Sequence, residues 1–519
     1  MTGSMSRRTM NRRGVVAGAI LVAWGAGLGL LVRREYFRPQ VERLAEAAMR
    51  VTPGPSYYAV LQGGRHIGFA STTVDTSTTT ITVSDYLVAD FPVGGRTHRA
   101  TARTTVHLTR GFRVRDFTFD LAAAAGPIKA SGRVDGDSVV TLVVRAGSAR
   151  PDTQRIRVQG PVLLPTLIPL AVGLGGSPEV GRKVTLPVLD PVAMSARPLS
   201  LTIEAETLFV VHDSATIDPG TTRWRGLLPD TVRAWHVVPA GSSTFQPAWV
   251  DEQGRVVEST QFGSLTLRRM PYELAFENWR RESRRGVAVT SDRDILETTA
   301  VAANKRVTRD VSRLRVRLRN VDLTGYDLDG GRQALRGDTL TVIRETLARL
   351  GGYRLSSADR SRFPRETSPE TLVESREPEI AFQAAEIVGS DRTALVVAER
   401  LNSWVHRSLA KRITFGIPSA LQVMRARSGD CNEHTQLYVA MARAVGLPAR
   451  VATGLAYIDR KFYYHAWPEV FVGEWIAVDP TLGQFPADAA HLRFALGGLG
   501  RQIDLLRLIG NLEIDVIDQ

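Results

Sequence analysis

The sequence has a single cysteine, Cys431, and only five lysines among its 66 basic residues. One cysteine excludes an intrachain disulfide framework and any zinc site built on several thiolates. With lysine scarce, the net charge of +13 rests on arginine, and those arginines are scattered among 53 acidic residues rather than gathered in a stripe. The clustered basic footprint of a nucleic-acid binder is missing, so nucleic acid is not an expected partner. An apolar fraction of 43% with 23% charged residues is globular and excludes a disordered chain. A length of 519 residues exceeds one ordinary domain and implies about two to four.

Long apolar runs are also rare. Residues 14–32 form a stretch of 19 without a charge, which as a helix spans about 28 Å, close to the ~30 Å hydrocarbon core of a bilayer. Arg7, Arg8, Arg12 and Arg13 precede it with no acid among them. The positive-inside rule then keeps residues 1–13 cytoplasmic and exports the rest, giving a single-pass membrane protein whose bulk is extracytoplasmic, in the periplasm. Arg33 and Arg34 follow at once and no small-residue cleavage site adjoins the run, which favours an uncleaved anchor over a signal peptide.

Beyond a short helix expected at 38–50 and a break at Pro53-Gly54-Pro55, residues 53–285 read as a β-rich domain. Stretches such as 57–62, 79–91, 100–108, 139–146, 199–211 and 232–240 are rich in Thr, Val and aromatics. Turn signals such as Gly63-Gly64, Gly94-Gly95 and Asp251-Glu252-Gln253-Gly254 separate them, which predicts an antiparallel sheet, barrel or sandwich. Residues 286–376 form a second, smaller β-rich unit, and 364–378 a polar linker. Gly176 to Lys183 only approaches a phosphate loop, because Arg182 and Lys183 hold the positions that need Lys and Ser or Thr. Asp327-Leu328-Asp329-Gly330 lacks the distal acid of a calcium loop. His66, His98, His107, His212 and His236 show no ligand spacing, and no metal, nucleotide or other cofactor is expected.

The chemistry concentrates in residues 377–519. Helical periodicity begins after Asp391, a candidate N-cap, with Leu395, Ala398, Leu401, Val405 and Leu409 at three- and four-residue steps. Gly429-Asp430-Cys431-Asn432-Glu433-His434-Thr435 opens a further helix that closes at Gly446. Asp430 as N-cap places Cys431 in the first turn, where the helix dipole favours a thiolate, with Asp430 itself opposing. Two strands follow, at 450–458 and 462–472; the second carries His465, and Asp479 comes next after a turn at Gly473-Glu474. Nucleophile, base and orienting carboxylate are the parts that thiol-dependent acyl transfer needs.

These blocks, with Arg443 to Leu455 between them, resemble the transglutaminase-like family of bacterial proteins. The resemblance implies an α+β, papain-like core in which Cys431 is the nucleophile, His465 the general base and acid, and Asp479 the orienting carboxylate. It implies a cysteine-dependent acyltransferase, peptidase or amidase acting on amide bonds through a Cys431 thioester, with a protein or peptide substrate in the cell envelope. The sequence leaves the acceptor open between an amine and water. The competing expectation is a non-catalytic envelope scaffold or binding protein that keeps the fold. His434 is expected to pack or support from one turn away, Trp467 to share a strand face with His465, and His491 to be structural. The Cys431 amide is the expected oxyanion donor, with Gln422 or Trp404 as side-chain candidates.

Strand parity adds a constraint. A two-residue turn at Gly473-Glu474 would put Asp479 opposite Pro468, on the wrong face for His465. A three-residue loop around Gly473, or a bulge near Pro468, restores the pairing and sets Asp479 diagonal to His465.

The topology is directly testable. A reporter fused after residue 519 is expected to be active outside the cytoplasm; activity confined to the cytoplasm contradicts the anchor orientation.

Overall fold

The computed structural model describes Ala48 and residues 51–519, leaving aside 285–294, 413–417, 498–504 and several shorter stretches. The candidate anchor at 14–32, and the expected 38–50 helix apart from Ala48, lie outside the described residues. Among the described residues no helix is long and apolar enough to cross a membrane.

Residues 54–269 build one 14-stranded antiparallel sheet. Its strand Gly54–Gln62 pairs on one side with Arg65–Thr76 and on the other with Leu265–Arg269. From that seam, successive hairpins run outward to the edge strands Asp152–Arg157 and Lys183–Asp190. Val83, Leu142, Leu199 and Val250, from both arms, close on Leu167, Ile168 and Ala171 in one core. The sheet is therefore rolled around the helical segment Pro165–Leu167 and Ile168–Leu174, and its two edge strands do not pair with each other. The phosphate-loop look-alike is the connection from helix Ile168–Leu174 to strand Lys183–Asp190, the reverse of the strand-then-helix order that a phosphate cradle needs.

A smaller sheet orders Gln333–Arg336, Thr339–Ile343, Arg313–Arg319 and the last strand, Glu513–Asp518. Arg313–Arg319 alternates Arg with Leu314, Val316 and Leu318, so period two alone buries the apolar set and exposes the charges. Those three residues share a core with Leu455, Phe462, Leu492 and Phe494. The strands of the 286–376 unit thus pack onto the back of the C-terminal domain rather than closing on themselves. The calcium-loop look-alike serves the same docking. Asp327 donates its N–H to the Phe494 carbonyl at 2.7 Å and accepts the Leu496 N–H at 2.8 Å.

The C-terminal domain is α+β: helices on one side, an antiparallel sheet on the other. Its sheet runs Val301–Ala302, Lys461–Phe471, Ala449–Ile458, His491–Leu496, with Trp475–Ala477 also paired to Lys461–Phe471. Helices Pro378–Val388, Ala394–Ser408 and Ala420–Ala426 surround Cys431–Ala444, whose residues 433–443 are all buried. A helix buried on every side belongs at the centre of a core. The expected N-cap Asp391 sits two residues too early. Thr393 is the cap position, and Asp391 accepts the Thr393 N–H at 2.8 Å in a turn just ahead of it.

Gly454 decides how closely the strands of the site can approach. It lies opposite His465 in one neighbour and beside Arg493 in the other, at a register shift between Thr453 and Gly454. A Cβ there would fall 2.0 Å from the Leu492 carbonyl oxygen, so only glycine fits without moving backbone. Gly351, by contrast, has nothing within 4 Å of where its Cβ would be. Gly454→Ala is expected to destabilise the domain by about 1–3 kcal/mol or more, as overpacking does, and Gly351→Ala to leave the thermal midpoint nearly unchanged. Equal midpoints for the two variants contradict this packing.

Candidate active site

Cys431 is the first residue of its helix, as Asp430 predicts. The Asp430 carboxylate accepts the Asn432 N–H at 2.9 Å, and Glu433 reaches back to accept the Asp430 N–H at 2.8 Å, a reciprocal capping box. Gly429 makes room for that return, since a Cβ on it would lie 2.3 Å from the Glu433 Cβ. The helix start is thereby fixed, and Cys431 stands in its first turn, half-buried, with the thiol at the positive end of the dipole.

The His465–Asp479 register follows from the hairpin. Glu469 faces Ala477, Val470 faces Ile476 and Phe471 faces Trp475, which leaves a three-residue loop centred on Gly473. Continued by two residues, this register sets Asp479 across from Trp467 and diagonal to His465. Pro468 sits in regular pairing with Val451 and carries no bulge. Its carbonyl accepts the Val478 N–H at 3.0 Å, so its missing N–H lies on the side of the short strand Trp475–Ala477, at the point where that strand ends. Of the two geometries that restore parity, the loop is the one present.

His465 and Asp479 are brought together. The His465 Nε2 and Asp479 Oδ2 atoms are 2.7 Å apart, and both side chains are buried. That bond leaves Nδ1 as the ring nitrogen for Cys431. The other Asp479 oxygen accepts the backbone N–H groups of Thr481 at 2.7 Å and Leu482 at 2.9 Å. Burial works against a charged His465, yet Asp479, then Cys431, push its pKa up to about 10. Burial would also raise Asp479, but His465 and, after it, His491 hold that carboxyl well below its usual range. Burial pushes the Cys431 thiol up; His465 pulls it back and Asp430 adds to the rise. The helix start therefore does not leave a lowered thiol by itself, because desolvation of the sulfur outweighs it.

The other expected residues fall into place around this pair. Trp467 is fully buried and stacks on His465 with centroids 6.1 Å apart. His434 turns its Nδ1 to the Asp430 carbonyl at 2.7 Å and so belongs to the helix cap. Gln422 accepts the Ser419 N–H at 2.9 Å in the capping box of Ala420–Ala426, and Trp404 carries the Arg427 guanidinium on its ring. Neither of those contacts involves Cys431.

Sequence reasoning missed the part played by His491 and Asp488. His491 Nε2 is 3.0 Å from Asp479 Oδ2, and its Nδ1 is 2.9 Å from Asp488 Oδ1. The donor atoms of His465, Asp479 and His491 lie within 4.8 Å of one another, a spacing that a cation could also use. Here one oxygen of Asp479 accepts from both rings, so hydrogen bonding accounts for the cluster. The signal available was the Asp488-x-x-His491 spacing just after Asp479, which is unremarkable until the strand His491–Leu496 is known to run beside Ala449–Ile458.

The family comparison agrees with this placement. Residues 382–480 match the transglutaminase-like superfamily. No curated protein matches the chain. Among solved structures, a candidate cysteine protease from Cytophaga hutchinsonii is similar at 17% identity over 40% of this chain and 87% of that one, with a TM-score of 0.28. The periplasmic domain of TgpA from Pseudomonas aeruginosa, bound to ethylmercury, is similar at 19% identity over 35% and 75%, with a TM-score of 0.23. The β-barrel-like DUF1849 protein of Brucella abortus reaches 11% identity over 42% and 95%, with a TM-score of 0.27. Likeness at these scores leaves the functional reading to rest on the residues themselves.

The His465 pKa gives a signed prediction. A ring raised from its ordinary ~6.5 to about 10 contributes stability that is fully present below ~6.5 and fades as pH rises through 10. The stability difference between wild type and His465→Gln, measured by denaturant unfolding, should therefore shrink between pH 6.5 and 10. A constant difference across that window contradicts a protonated ring.

Proposed function

We propose that the C-terminal domain is a cysteine-dependent enzyme acting on amide bonds of a protein or peptide in the cell envelope, through a Cys431 thioester. The observation that carries this reading is the buried 2.7 Å His465–Asp479 contact beside a half-buried thiol at a capped helix start. In the reaction, the Cys431 proton passes to His465 Nδ1 beforehand, so that thiolate and imidazolium stand as a pair, and Sγ then attacks the amide carbonyl carbon. The developing oxyanion meets the N–H groups at the helix start. The C–N bond breaks, His465 returns the proton to the leaving amine, and an acyl thioester remains. An incoming amine or water, deprotonated by His465, attacks that thioester and releases the thiol. Asp479 holds the ring in the tautomer that presents Nδ1 and stabilises the imidazolium.

Two further features fit an enzyme that works outside the cytoplasm. Residues 14–32 tether it and residues 1–13, with their arginines, hold the near side, which supports an extracytoplasmic site. A lone cysteine has no partner within the chain with which to form a disulfide in that compartment. The rolled β sheet gives the chain a second large body, suited to gripping substrate or a partner.

A peptide epoxide that places its electrophile where an amide carbonyl would sit tests the reading. Wild type is expected to form one adduct, at Cys431, and His465→Ala to form it at least tenfold more slowly. Mass spectrometry on envelope extracts then separates amine transfer from hydrolysis. No adduct with wild type, together with a Cys431→Ala strain that behaves as wild type, favours the scaffold reading instead.

A further inference from the structure

We propose that His491 is a positioning residue of the Cys431 site: an imidazolium that donates from both ring nitrogens, clamps the Asp479 carboxylate and shares its charge. The inference deepens the enzyme reading, and it rests on that reading only for its consequence in turnover.

The geometry fixes the protonation of His491. Each ring nitrogen faces a carboxylate oxygen, Nε2 toward Asp479 at 3.0 Å and Nδ1 toward Asp488 at 2.9 Å, and the ring is 1% exposed. A neutral imidazole has one N–H and would leave one of these buried contacts as two acceptors in opposition. Two donors satisfy both. Burial opposes a charged ring, but the bonds to Asp479 and Asp488 outweigh it and raise the His491 pKa.

Asp488 is itself held from behind. Gln484 accepts the Asp488 N–H at 2.8 Å and donates to the carboxylate at 3.2 Å, while the Ala490 N–H bonds the same carboxylate at 3.0 Å. His491 in turn fills the last acceptor position of Asp479. That carboxylate then has two imidazole donors on Oδ2 and two backbone donors on Oδ1, and no freedom to rotate away from His465.

The charge has a second effect. The His491 ring lies 5.7 Å from His465, centroid to centroid, and 5.2 Å from Trp467, which lies edge-on to it. The charged groups that face it are Asp479, Asp488 and His465, with Arg332 bonded to the Asp488 carbonyl at 2.7 Å. A cation there disfavours protonation of every neighbour. It keeps Asp479 from making the His465 ring so basic that Nδ1 cannot pass its proton to a leaving amine, and it favours the Cys431 thiolate. Removing the charge therefore moves both the Cys431 and the His465 titrations to higher pH.

Iodoacetamide alkylation of Cys431 against pH reads this without any substrate. His491→Gln, which can keep a donor to Asp479 but not the charge, is expected to move the profile up by about one unit and slow alkylation at pH 7 about tenfold. His491→Asn, which also removes the charge, should move it the same way. In turnover the loss should fall on kcat with KM little changed. Folding of each variant is checked by its thermal midpoint. If His491→Gln does not fold, His491→Asn decides. A folded variant with the wild-type alkylation profile overturns the proposal. Absence of turnover in wild type would count against the enzyme reading alone, since the alkylation profile still decides the role of His491.

Discussion

A carboxylate with no solvent contact sits at the centre of the domain, and the geometry around it follows from keeping it charged. Asp479 is fully buried, and an ion in that position is costly unless every lone pair is met. Four donors meet them: two imidazoles from two different strands and two amides of its own loop. Each donor depends on a backbone choice made elsewhere. The three-residue loop at Gly473 puts Asp479 on the His465 face, and Gly454 lets the strand bearing His491 come close enough to join. The Cys431 helix needs only its cap to complete the arrangement.

Beneath this layer lies a second set of buried charges that supports the same strands. Glu469, four residues after His465, accepts Arg450 at 2.6 Å and Arg493 at 2.9 Å, and Arg493 follows His491 by two. Trp467 fills the space between the two layers. The smaller sheet then grips the loop that carries Asp488. Arg332 donates to the Ala487 and Asp488 carbonyls, each at 2.7 Å, Arg344 to Pro486 at 2.9 Å, and Glu345 accepts the Ala477 N–H at 2.9 Å. Strands that read in sequence as a separate unit thus form the floor of the site.

The local grammar of the site was legible in the sequence. Asp430 announced the helix start, and strand parity required either a three-residue loop around Gly473 or a bulge near Pro468. What stayed hidden depends on depth and on long-range pairing. The depth of Cys431 cannot be read from its neighbours in sequence, so the helix dipole was expected to lower its pKa where burial raises it. His491 looked structural because its two partners are joined to it only by the fold of the 479–491 segment. The last strand's pairing with Arg313–Arg319 joins residues nearly 200 positions apart, and no local pattern announces it.

The central claim is that Asp479 holds His465 as a protonated ring beside Cys431. Nitrogen-15 NMR of the imidazoles, in wild type and in Asp479→Asn, tests it most directly. The account predicts that His465 in wild type carries protons on both nitrogens at pH 7 and titrates near pH 10, and that Asp479→Asn brings it down toward the ordinary value of about 6.5. A wild-type ring that is neutral at pH 7, or a titration that Asp479→Asn leaves in place, would contradict it.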